Sequence, residues 1–286
     1  MPVPADLPQQ VERALAEDVG AGDLTAHLVP AERLGRASVI TREPAILCGI
    51  PYAEATFHQV DARIRLEWHI AEGDPVAADQ LLLTVEGPAR ALLTAERTAL
   101  NFLQLLSGTA TAAHSHAALL EGTHCRLLDT RKTIPGLRSA QKYAVRVGGG
   151  HNYRMGLFDG ILIKENHIMA VGSIAGAVAA AKRGGGAVPV EVEVENMSEL
   201  RQAIAAGADI ALLDEFSLED MREAVAINAR AAAGPAGKPL KLEASGGITA
   251  ANIREIAETG VDFISVGSIT KHVRAVDLSM RFEFQT

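Results

Sequence analysis

CRLLDTRKTIPGLRSAQKYAVRVGGGHNYRMGLFDGILIKENHI, residues 125–168, decides the fold. It opens on a short apolar run, CRLLD (125–129). A turn at Pro135-Gly136 and an amphipathic helix near 136–147 follow, then Gly148-Gly149-Gly150 and a second apolar run, GILIK (160–164). The same rhythm continues with PVEVEVE (189–195), IALLD (210–214), LKLEAS (240–245) and FISVG (263–267). Helical patterns near 168–183, 198–206, 218–232 and 250–259 separate these runs. Short strands alternating with helices predict parallel βα units. At least six in succession predict an incomplete (β/α)8-type barrel, with a doubly wound open sheet as the competing topology.

Each predicted strand ends on a polar or conformationally permissive residue. In βα barrels all the carboxyl ends meet on one face, where such proteins keep their sites. The first run gives Thr130, Arg131 and Lys132 after Asp129. The second gives Lys164, the third Glu193, and the fourth Asp214. The fifth gives Ser245-Gly246-Gly247 and the last Gly267-Ser268. Arg131, Lys132, Arg154 and Lys164 form a basic group inside a chain whose formal net charge is -8. Arginine forks and lysine point charges suit a small polyanion. Arg138, Lys142 and Arg146 lie about one helical turn apart and read as a solvated face.

Glu191, Glu193 and Glu195 alternate, so all three point to one face of their strand. Burial of unpaired carboxylates is too costly to be filler. The strand therefore meets cations or a metal, or lies at an edge in water; Glu193, in the middle, is the functional candidate. Ser245-Gly246-Gly247 before a helix is a phosphate-cradle pattern, with Gly267-Ser268 as the neighbouring loop. There is no GxSxG elbow or CxxC, and His151, His167 and His272 stand isolated.

The first third is built differently. Residues 6–18 read as a helix, and 36–48 as extended chain. A helix from Tyr52 to Val60 follows. Ile64, Leu66, Trp68 and Ile70 alternate with polar residues, predicting a half-buried strand, and Leu81–Val85 another. A long apolar-faced helix runs from about Arg90 to Leu120 and carries Arg97. The acidic balance argues against nucleic-acid binding. No apolar run reaches the ~18 residues of a membrane span. The N-terminus lacks a secretory pattern, and two distant cysteines, Cys48 and Cys125, suit a reducing cytoplasm.

AERTALNFLQLLSG (95–108), DTRKTIPGLR (129–138), KYAVRVGGG (142–150), LIKENHI (162–168), EVEVEN (191–196), LLDEF (212–216) and LEASGGI (242–248) together resemble the quinolinate phosphoribosyltransferase family, over nearly the whole length. The resemblance implies an N-terminal α/β sandwich domain (1–112, joined by a tail at about 275–286) on an incomplete α/β barrel (113–274). It implies transfer of phosphoribosyl from phosphoribosyl pyrophosphate to quinolinate with decarboxylation, giving nicotinate mononucleotide, with Mg2+. It also implies a homodimer, or a higher assembly of it, whose Arg97 reaches the neighbouring subunit's site.

By the same resemblance, Arg131, Arg154 and Lys164 hold the pyridine dicarboxylate, and Thr130, Lys132 and Tyr153 line its place. Glu193 and Asp214 serve the ribose and Mg2+, with Lys132, Glu193 and Asp214 as the catalytic set. Ser245, Gly246, Gly247, Gly267 and Ser268 match the 5-phosphate loops. The chain departs from the family at Tyr153, where histidine is usual, and at Glu215, where asparagine is usual. Two other readings are a barrel aldolase or lyase with a Schiff base on Lys164 or Lys241, and a non-catalytic small-anion binder.

Overall fold

A computed structural model describes residues 1–233 and 239–283. The chain forms two compact units, each discontinuous in sequence. One comprises Met1–His114, Thr133–Gly149 and the chain from Ser268 onward; the other comprises Ser115–Lys132 and Gly150–Gly267.

The first unit begins with α1 (Leu7–Val19), β1 (Leu34–Thr41), β2 (Ala45–Ile46), α2 (Ile50–Val60), β3 (Arg65–Trp68), β4 (Pro75–Val76) and β5 (Leu81–Pro88). The 30-residue helix α3 (Ala89–Ala118) follows. The elements of the central segment are β6 (Arg126–Leu128), α4 (Arg138–Val147), β7 (Ile161–Ile163), α5 (Glu165–Val171), α6 (Ile174–Gly184), β8 (Val190–Val194) and α7 (Met197–Ala206). The last are β9 (Ile210–Asp214), α8 (Leu218–Ala232), β10 (Lys241–Ser245), α9 (Ile253–Ala257), β11 (Phe263–Ser265), α10 (Ser268–Lys271) and β12 (Leu278–Glu283).

In the first unit an antiparallel sheet runs in the order β12-β1-β5-β3. Its apolar face and α3 share a core of Val39, Leu83, Val85, Leu92, Leu100 and Leu103. Fully burying each such leucine stabilises the fold by about 1.5–3 kcal/mol. A second cluster joins Leu7, Val11, Tyr52, Phe102, Leu106 and Ala144. Two glycines allow close approach to or by α3. A Cβ on Gly108 would stand 2.1 Å from the Arg274 carbonyl oxygen, and one on Gly148 would stand 2.2 Å from that of Ala110. Gly148 is thus fixed by contact with α3.

The second unit contains a six-stranded parallel sheet in the order β6-β11-β10-β9-β8-β7. From β7 to β11 each new strand is added on the same side, which is barrel winding; a doubly wound sheet reverses at a switch point. Among the described residues the sheet does not close, and only a bridge between Leu128 and His151 extends beyond it. The incomplete barrel is therefore present, alongside the separate antiparallel sheet. Ladder registers such as Glu193↔Leu212 and Ser245↔Asp214 set neighbouring strand ends level.

Three expectations change. The helix expected over 168–183 is two, α5 and α6, broken at Gly172, whose φ is 95°, and restarted by Ser173, whose Oγ accepts from the Gly176 N–H. The helix expected over 250–259 is the shorter Ile253–Ala257. Lys142 does not face water: it is 1% exposed, because α4 turns that side inward with Ala140, Gln141 and Val145. The tail pairs antiparallel with β1 from Arg36↔Glu283 to Thr41↔Leu278. No helix among the described residues is long and apolar enough to cross a membrane.

Candidate active site

Parallel strands place all their carboxyl ends on one edge of the sheet, and most of the predicted residues are there. Alternation along each strand then sorts the inward-pointing side chains into depths.

At the mouth, Lys164 follows β7 and its ammonium pairs with Glu193 of β8. Lys164 is half exposed, whereas the Glu193 side chain is 16% exposed. Asp214 ends β9. Burial and the charges of Glu193 and Glu215 raise its carboxyl above the ordinary value, while Lys164 and Lys132 pull the other way. Two cations and three carboxylates therefore act on one another here. The charge of Glu165 and, to a lesser degree, of Glu199, Asp214 and Glu193 also raises Glu195, beyond the end of the strand.

The flanking loops close on this group. Gly246 has φ 89°, and a Cβ there would lie 2.6 Å from Glu215 Cγ and 3.3 Å from Asp214 Oδ1. The Glu215 N–H donates to the Ser245 carbonyl at 3.0 Å. Glu215, the residue that departs from the family pattern, itself holds a left-handed φ of 54°. On the other side, a Cβ on Gly267 would meet Lys132 Cδ at 2.9 Å and Thr130 Oγ1 at 3.4 Å. The Lys132 N–H donates to Thr130 Oγ1 at 3.0 Å. The structure therefore brings together Thr130, Lys132, Lys164, Glu193, Asp214, Ser245, Gly246 and Gly267. Gly247, with φ 57°, continues the same loop, and its carbonyl accepts from Asn252 at 3.1 Å. Arg131 lies exposed between Thr130 and Lys132. Two residues fall in the other compact unit: Arg97, exposed on α3, and Ser268, the first residue of α10.

One level deeper is a layer the sequence reading did not pick out. Glu191 of β8 and Glu243 of β10 are 1% and 2% exposed. Burial pushes both carboxyls up, Glu243 the more strongly. Neither oxygen of Glu191 has a hydrogen bond of ordinary geometry, but Glu243 and Tyr153 face it closely enough to act on its ionisation. Ser265 of β11 acts similarly on Glu243. Arg154 lowers both carboxyls. The signal for Glu243 was available: LKLEAS places a carboxylate inside an apolar run.

Asp129, 1% exposed, ties down the segment that carries Tyr153 and Arg154. Its oxygens accept from Asn152 Nδ2 at 2.6 Å and from the Tyr153 N–H at 3.0 Å. Tyr153, the other departure from the family pattern, turns its ring toward Arg154. The guanidinium carbon lies 5.8 Å from the ring centroid.

Two converging carboxylates, crowded enough to raise Asp214, fit a divalent cation whose remaining ligands are substrate oxygens and water. No group of three or more His, Cys, Asp or Glu among the described residues could hold a metal by itself. Lys241 lies at the other end of β10, paired with Asp262 at 2.7 Å. It is a poor Schiff-base candidate, since it sits at the amino end of β10, away from the carboxyl ends of the strands, and is held by that pair.

Comparison with known proteins agrees with this geometry. The family model "Quinolinate phosphoribosyl transferase, N-terminal domain" matches residues 23–107, and its C-terminal counterpart matches 109–281. A nicotinate-nucleotide pyrophosphorylase (carboxylating) of Mycobacterium leprae is 40% identical over 274 residues, covering 94% of this chain and 95% of the relative. A probable enzyme of the same name from Bacillus subtilis is 40% identical over 265 residues, covering 92% and 89%. The solved nicotinate-nucleotide pyrophosphorylase of Francisella tularensis is 49% identical with TM-score 0.92, covering 99% of this chain and 98% of that one. The chain belongs to the quinolinate phosphoribosyl transferase family.

Proposed function

We propose that this protein transfers the phosphoribosyl group of phosphoribosyl pyrophosphate to quinolinate with loss of CO2, giving nicotinate mononucleotide and pyrophosphate. The observation that carries the reading is the mouth of the parallel sheet. There Lys164, Glu193, Asp214 and Lys132 act on one another beside the loops of Gly246 and Gly267, whose lack of a side chain lets these groups approach. A pure anion binder has no use for the two acids, so their presence favours turnover.

Both substrates are strongly anionic. Arg131, Arg154 and Lys164 grip the two ring carboxylates, which aims the pyridine nitrogen at the ribosyl C1; this is a gain in orientation. The nitrogen lone pair forms the new bond to C1 as pyrophosphate leaves with the C–O electron pair. Positive charge grows on the ribose during that exchange, and Glu193 and Asp214 stabilise it from close by. Mg2+, which Glu193 and Asp214 would hold together with substrate oxygens, supplies charge neutralisation for the leaving group. The pyridinium then takes up the electron pair released as CO2 departs, and a proton fills the ring carbon. No side-chain nucleophile enters this scheme. Lys132, whose side chain lies against Gly267, is assigned the place between the two substrates.

The 5-phosphate is assigned to Ser245, Gly246 and Gly247 with Gly267 and Ser268. Tyr153 belongs to the quinolinate side. The working form is a homodimer in the cytoplasm, in which Arg97 of one subunit completes the neighbour's site. The reading is tested by following nicotinate mononucleotide and labelled CO2 from the two substrates. Formation of both supports it; borohydride trapping of a keto substrate on Lys164 supports the aldolase reading instead.

A further inference from the structure

We propose that Gln141 is a positioning residue: its buried side-chain amide joins the loop that carries Thr130, Arg131 and Lys132 to the loop that carries Gly267 and Ser268, and so places the two substrates against each other. The inference rests on the assignment of quinolinate to the first loop and of the 5-phosphate to the second.

Strands β6 and β11 lie side by side, and their ladder runs as far as the Val266 N–H, which donates to the Leu128 carbonyl at 3.1 Å. Beyond that point both chains continue as loops, with Gly267 against Lys132 and Thr130. Farther on, Gln141 of α4 spans the two chains. Its Oε1 accepts from the Ile134 N–H at 2.8 Å, and its Nε2 donates to the Thr270 carbonyl at 2.7 Å. Ile134 is two residues past Lys132, and Thr270 is three past Gly267. The stretch that carries the site residues is therefore joined at both ends, by the ladder at one and by the Gln141 side chain at the other.

The residue type fits this task. One backbone donor and one backbone acceptor must be met at once. An amide does both, whereas a carboxylate only accepts and an ammonium only donates. Gln141 is 0% exposed, so both bonds form away from bulk water, where they hold geometry best. Each loop also has anchors of its own. Arg138 Nε donates to Thr133 Oγ1 and Gln10 Nε2 donates to the Gly136 carbonyl, both at 3.1 Å. After the other loop, the His272 N–H donates to the Ser268 carbonyl and the Val276 N–H to that of Gln104, both at 3.0 Å. Losing the Gln141 bonds therefore leaves each loop able to take its own substrate, but frees one loop from the other. When a reaction joins two bound molecules, their mutual placement governs the rate, and a misplacement of about 1 Å costs about a hundredfold.

The experiment uses the full-length enzyme and two variants. Q141M matches the length of glutamine without its hydrogen bonds. Q141N keeps the amide but is one methylene too short to reach both backbone groups. Steady-state kcat and the KM for each substrate are measured, and quinolinate bound per subunit is counted by equilibrium dialysis. The bridge predicts kcat lowered about tenfold or more in both variants, with each KM within about threefold of wild type. The number of quinolinate sites per subunit stays at the wild-type value, so the loss belongs to each folded site.

A kcat within about threefold of wild type in both variants overturns the proposal. So does a loss of activity matched by an equal loss of quinolinate sites, which is the mark of a purely structural role. So does a raised quinolinate KM with kcat unchanged, since Gln141 would then serve one loop alone. If Q141M does not fold, Q141N, which still meets one of the two backbone groups, carries the same prediction. A wild-type enzyme without quinolinate turnover sinks the functional reading itself. An active wild type with unaffected variants sinks this inference alone.

Discussion

Replacing Lys164 by alanine separates a structural ion pair from a functional one, because the structure gives two very different magnitudes. As a contribution to folding, the pair with Glu193 is small. The lysine is 52% exposed and water screens the interaction. Such pairs contribute about 0–1 kcal/mol, a shift of at most about 4 °C in Tm for a unit of this size. As part of the site the same ammonium does much more. It faces Glu193, offsets the repulsion that raises Asp214, and in the proposed reaction holds a substrate carboxylate. Truncating one partner of a charge pair that binding desolvates costs about 2–4 kcal/mol, or about 30-fold to about 1,000-fold in kcat/KM. The assay is steady-state formation of nicotinate mononucleotide, with Tm measured on the same preparation. A variant within about threefold of wild-type kcat/KM would refute the reasoning. So would a loss of activity explained by a Tm drop well beyond about 4 °C.

Other changes test neighbouring parts of the account. Gly246→Ala places a Cβ 2.6 Å from Glu215 Cγ at a φ of 89°, a strain of about 1–3 kcal/mol, so a raised KM for phosphoribosyl pyrophosphate is expected with a modest Tm loss. Asp23 accepts from Thr25, Thr94 and the Ala26 N–H, which holds its carboxyl down at about 2 against 3.8. A lowered folded value means stability present above 3.8 and lost as pH falls toward 2. The gap in urea midpoint between wild type and Asp23→Ala should therefore narrow from about pH 6 to about pH 3. If Arg97 is shared between subunits, mixing inactive Arg97→Ala and Lys164→Ala proteins should restore part of the activity. No regain on mixing argues for a site contained in one subunit.

The barrel was legible because its signal is local. Each apolar run of four or five residues forms one strand, and each strand's last polar residue marks the mouth. Lys164, Glu193 and Asp214 were found from that pattern alone. Signals that depend on distant partners were harder to read. Strand β12 is fixed by pairing with β1, more than two hundred residues away in the chain, and nothing in Leu278–Glu283 names that partner. Lys142 looked solvated because helical spacing groups it with Arg138 and Arg146, but spacing does not say which face turns inward. Glu191 was visible as one of three alternating carboxylates. Its depth was not, because alternation gives a face and strand register gives the level. Glu243 was visible as a carboxylate inside an apolar run, but its place, across Leu212 from Glu193, needed the register of β9.

The central claim is that this mouth joins two anionic substrates with loss of CO2. The direct measurement is nicotinate mononucleotide and CO2 release from quinolinate and phosphoribosyl pyrophosphate, with Mg2+ and after chelation. Equal amounts of both products are expected with Mg2+ present, and no turnover after chelation. No product from the intact protein with Mg2+, or undiminished turnover after chelation, would contradict it.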